Sequence, residues 1–69
     1  NRLEDAKTLL LAARQREPEN PMVLNNLADV LMQLGALDEA EKIALQAVAA
    51  GGDTQDIAKQ TLMEIRAKK

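Results

Sequence analysis

Apolar residues recur along this chain every three or four positions, and no stretch alternates with the period of two that marks a strand. Leu3, Ala6, Leu9, Leu10 and Ala13 make one apolar face; Val23, Leu24, Leu27, Ala28, Val30, Leu31 and Leu34 make a second. Pro18 and Pro21, then Gly35, then Gly51 and Gly52 cut the pattern into four helical pieces. The first is expected over residues 2–16, stopping ahead of Pro18 because the residue before a proline is pushed out of the helical region. The second is expected over residues 21–34. Asn20 serves as its N-cap, Pro21 takes the first position, where its missing N–H costs nothing, and Gly35 supplies a left-handed stop. The third is expected over residues 37–50, with Asp38 and Glu39 near the positive end of its dipole and Gly51 ending it. The fourth is expected over residues 54–67, capped by Asp53 or Thr54, with Arg66, Lys68 and Lys69 at its negative end. The fold class is therefore all-α.

Sliding the sequence along itself adds a second period. At an offset of 34 residues Leu3, Ala6 and Ala13 fall on Leu37, Ala40 and Ala47, the acidic pair Glu4–Asp5 falls on Asp38–Glu39, and Leu9 and Leu11 fall on Ile43 and Leu45. Asn1 falls on Gly35, and Asn is the next-best residue after Gly for a left-handed turn. A stand-alone bundle of antiparallel helices also uses small residues at its crossings, but it has no reason to reproduce this spacing. Two helices in a 34-residue period resemble the tetratricopeptide repeat. The signature reads Leu24-x2-Leu27-Ala28-x2-Leu31, then Ala40-x3-Ala44 with Ala47 following; the preceding repeat supplies Ala6-x3-Leu10, Ala13 and Pro18. Ala44 stands where the family usually has a large residue and Gly52 where it usually has Pro. A third repeat is poorly matched, since Leu24, Leu27 and Leu31 map onto Ala58, Thr61 and Ile65.

The resemblance implies an antiparallel helix-pair solenoid: residues 1–18 as the second helix of a repeat whose first helix is absent, 19–52 as a full repeat, and 53–69 as a terminal helix. Asp56, Lys59, Gln60, Glu64, Lys68 and Lys69 would give that helix the polar outer face a solenoid end needs. All 69 residues form one domain.

Composition narrows the function. There is no Ser, Cys, His, Phe, Tyr or Trp, so disulfides and the usual zinc ligands are excluded and the core must come from Leu, Ile, Val, Met and Ala. The candidate nucleophiles are Thr8, Thr54, Thr61 and the lysines, none beside a recognisable base. The pairs Glu4–Asp5 and Asp38–Glu39 recur at the same repeat position at a helix start, which the dipole explains better than acid–base chemistry. Asp53 and Asp56 lack the spacing of a calcium loop, and Gly51-Gly52 lacks that of a phosphate loop. No catalysis and no cofactor or metal are expected. Net charge is −2, with residues 18–52 carrying −4. That acidic middle speaks against nucleic acid, including the RNA-binding helical repeats of similar period. No apolar run approaches the roughly 20 residues of a membrane span. Absence of Cys fits any compartment, so localisation stays open.

What remains is a protein or peptide partner. Met22, Asn25, Asn26, Asp29, Met32 and Gln33 lie at helical spacing on the side of the second helix away from its leucines. In the family this side lines the concave groove, so the resemblance implies a non-catalytic interaction scaffold, with Lys59 as the nearest cation on the following helix. Asp56 and Gln60 occupy the places where some members carry the cations that grip a peptide C-terminus, which argues against that mode. The alternative is a structural or oligomerisation segment. Three consecutive leucines cannot share one interface at about 100° per residue. Residues Leu3, Ala6, Leu9, Leu10, Leu11 and Ala13 are thus expected to mediate self-association or to pack on further chain.

Overall fold

A computed structural model describes residues 1–69 and contains four helices: α1 (Arg2–Arg16), α2 (Pro21–Gln33), α3 (Leu37–Ala50) and α4 (Gln55–Lys68). The ends of α2 follow the local chemistry. Asn20 Oδ1 accepts from the N–H groups of Met22 at 2.9 Å and Val23 at 3.4 Å, with Pro21 next in line. At the other end Leu34 is the C-cap and Gly35 adopts φ +85°. The Ala36 N–H then reaches Leu31 O and the Gly35 N–H reaches Met32 O, the paired bonds of a Schellman motif. Asn1 has a different part from its repeat equivalent Gly35. Its Oδ1 accepts from the N–H groups of Leu3 and Glu4, so it caps α1.

The cap expected for α4 is not formed by either residue. Thr54 occupies the cap position at φ −96°, ψ 8°, and its side chain makes no capping bond. The extended backbone that swings a cap side chain back over the first turn, present at Asn20 with ψ 112°, is absent there. Instead the Gln55 side-chain amide donates to Val48 O at 3.1 Å and ties the start of α4 to the end of α3.

Short connections fold each helix back on the one before. α2 touches all three others, α3 packs on α2 and α4, and α1 touches α2 alone. The result is a slab of 30 × 30 × 15 Å. Its core is Leu24, Leu27, Ala28, Leu31 and Met32 from α2, Ala40, Ile43, Ala44 and Ala47 from α3, and Ala58, Leu62 and Ile65 from α4. Ala28 and Ala40 are fully buried, as expected of small residues at a helix crossing. Ala44 is fully buried too, and Ala58 faces the same interior. The leucine and alanine of Leu24 and Ala28 reappear one repeat later in the opposite order, as Ala58 and Leu62, so large and small trade places by one turn.

One expectation of burial fails. Val23, Val30 and Leu34 are half-buried and lie outside the core. α1 contributes no buried residue: Leu10 and Leu11 rest half-buried against the core, Leu3, Ala6 and Ala13 are half-buried, and Leu9 is 71% exposed. A helix with one neighbour can bury only one flank.

Candidate partner-binding groove

The stripe on α2 divides once its neighbours are in place. Met22, Asn26 and Gln33 are exposed, Asn25 and Asp29 half-buried. Met32 is a correction: it is only 7% exposed and belongs to the core. Its spacing put it at the edge of the polar stripe, but α4 packs along α2 as well, which widens the buried arc of α2 beyond what α3 alone would cover. Asn25 lies seven residues before Met32, two turns back along the same edge, and its Oδ1 is buried without a hydrogen-bond partner.

The polar residues that stay open are partly oriented. The Gln33 side-chain amide donates to Asp29 Oδ2 at 3.2 Å across one turn, which holds that carboxylate and leaves its other oxygen to accept. Lys59 is exposed on α4 and takes part in no ion pair. The cations that are paired lie elsewhere. Lys69 Nζ meets Asp38 at 2.7 Å and Glu41 at 2.8 Å, and Arg66 Nε meets Glu41 at 2.9 Å, clasping the end of α4 to the start of α3. Hydrogen bonds from Lys69 and then Arg66 hold the Glu41 carboxyl below its ordinary range, and Asp38 and then Glu41 raise Lys69.

One exposed apolar residue of α4 was not singled out from the sequence. Met63 is 70% exposed on α4. The 34-residue offset carries Asp29 onto it, so the signal was present in the repeat. The surface cavities are not lined by the stripe. The larger, about 860 Å³, lies between the ends of α1 and α3 among Arg14, Leu24 and Gln46. A shallow face of one helix encloses little volume, so this does not count against it as a surface for an extended chain.

No helix is long and apolar enough to cross a membrane. The family model that describes the tetratricopeptide repeat matches residues 1–55. No curated protein and no solved structure matches the chain.

Proposed function

The chain belongs to the tetratricopeptide repeat family, and from that membership we propose that it is a non-catalytic interaction module that takes up a protein or peptide segment along the open stripe of α2. Repeats of this family generally mediate protein–protein contacts. Residues 19–52 are the full repeat in this reading, 1–18 the second helix of the repeat before it, and 53–69 a closing helix.

The observation that supports the site is the run of polar side chains left at the surface of α2, with Asn26 and Gln33 exposed and Asn25 and Asp29 half-buried. Asn26 offers both a donor and an acceptor. Met22 gives an adaptable apolar contact at one end, and the Asp29–Gln33 pair a polar one at the other.

Peptides selected from a random library against the intact chain test the reading. Asn25→Ala, Asp29→Ala and Met22→Ala should each weaken the selected peptides severalfold while circular dichroism shows unchanged helicity. Peptides indifferent to all three would remove the site from α2.

A second reading has its own observation. Leu9, in the middle of the apolar face of α1, is 71% exposed. A leucine left in water forgoes on the order of 1.5–3 kcal/mol of burial. This supports α1 as a structural surface, shared with a second copy or with another helix.

A further inference from the structure

α1 and α3 both lie against α2 and do not touch each other, which leaves a cleft between them. Two adjoining cavities occupy it. The larger, about 860 Å³, has an apolar wall of Pro18, Leu24, Ala49 and Ala50, with Glu19 beside it. The smaller, about 470 Å³, is lined by Asp38, Glu39, Lys42 and Ile43. Arg14 and Gln46 line both, so the two form one trough with Arg14 at the junction. No residue of the α2 stripe lines either cavity.

Arg14 is the residue of the cleft that packing does not explain. At an offset of 34 residues it falls on Val48, which packs against the core. On α1 the same position carries an arginine that is half-buried, and its guanidinium is in no ion pair. A planar fork of donors at the edge of a cavity is matched by a carboxylate. The acids nearby do not fill that part. Glu19 and Glu39 form no ion pair with it, and Asp38 is held by Lys69 at 2.7 Å. With Asp38 so committed, the smaller cavity keeps Arg14 and Lys42 against Glu39 alone.

We propose that this cleft is a second peptide site, separate from the stripe of α2, for an extended segment that lays an aliphatic side chain on the apolar wall and a carboxylate side chain on Arg14. In an extended chain, residues two apart point the same way at a spacing of about 6.6 Å. The aliphatic and the acidic residue are therefore separated by one other. A doubly charged phosphate fits less well, because Glu19 and Glu39 flank the trough and repel it more than a carboxylate.

The probe is a capped heptapeptide in which glycine alternates with glutamate, leucine and glutamate, so that either chain direction offers the same pair. Added at millimolar concentration to the intact chain, it should shift the amides of Arg14, Gln46, Ala49 and Ala50. Arg14→Gln should weaken it on the order of tenfold at low salt, and that loss should shrink at high salt. Replacing both peptide glutamates by glutamine should weaken it to a similar degree. Ala49→Glu, an exposed helical position that would carry a like charge into the cleft, should abolish binding. Arg2→Gln removes the same charge from α1 outside the cleft and should leave the affinity near that of the wild type. Equal losses in Arg2→Gln and Arg14→Gln would overturn the proposal, as would the absence of any shift at millimolar peptide. Shifts confined to the stripe of α2 would also overturn it, while leaving the groove proposed above standing.

Discussion

Alanine does at the helix crossings what leucine does in the space around them. Ala28 and Ala40 have no exposed surface, so a larger side chain has nowhere to go. Ala28→Leu and Ala40→Leu are each expected to lower unfolding free energy in urea by about 1–3 kcal/mol. Wild-type stability in both would mean that the crossing lies elsewhere. Met32 and Met22 make a contrasting pair, one in the core and one 58% exposed. Met32→Ala should cost about 2–5 kcal/mol, Met22→Ala less than about 0.5 kcal/mol. Gly35 isolates a backbone effect, because a Cβ there would meet nothing within 4 Å while φ is +85°. Gly35→Ala should therefore cost about 1–2 kcal/mol from conformation alone, and Gly35→Asn less. An alanine variant of unchanged melting temperature would contradict the left-handed turn.

At the level of the helices, the four differ in how firmly they are held. α2 has a cap at its start, a Schellman motif at its end and three neighbours. α1 has a cap but one neighbour and no buried residue. Local opening free energy follows buried contact. Hydrogen exchange should accordingly release the central amides of α1 well before those of α2 and α3, and equal protection across all three would show that α1 is held by something more. The caps make a second contrast. Asn20→Ala removes two bonds to the first turn of α2 and should cost about 1 kcal/mol. Thr54→Ala removes no capping bond from α4, so the stability loss should be markedly smaller.

For the molecule as a whole, the ion-pair clasp between α3 and α4 sets a pH response. Glu41 titrates lower in the folded state, so its contribution is complete above its unfolded pKa and disappears as pH falls through the folded one. Lys69 titrates higher when folded, so its contribution is complete below its unfolded pKa and is lost as pH rises through the folded one. Melting temperature should be flat near neutrality and fall on both sides. Both groups are open to solvent, so the slopes should be shallow and should fade with salt. Lys69→Gln should flatten the alkaline limb and weaken the acid one. A variant with the wild-type profile would show that the clasp contributes nothing.

The helices, their punctuation and the repeat were legible in the residues, because helical period, proline, glycine and Asn caps act over a few positions and need no distant partner. Helix bounds over residues 2–16 and 37–50 agree between sequence and structure; α2 ends one residue earlier than expected, and α4 is shifted by one residue at both ends. What sequence alone left open was how wide each buried arc is. That width depends on how many helices lie against a given one, a property of no single segment. α2, between three neighbours, draws Met32 into the core and half-buries Asn25, while α1, with one, leaves Leu9 in water though its repeat equivalent Ile43 is covered. Side-chain identity and spacing determined which residues can face inward; only the tertiary arrangement of the helices decided which of them do, because burial requires a second surface to meet the first.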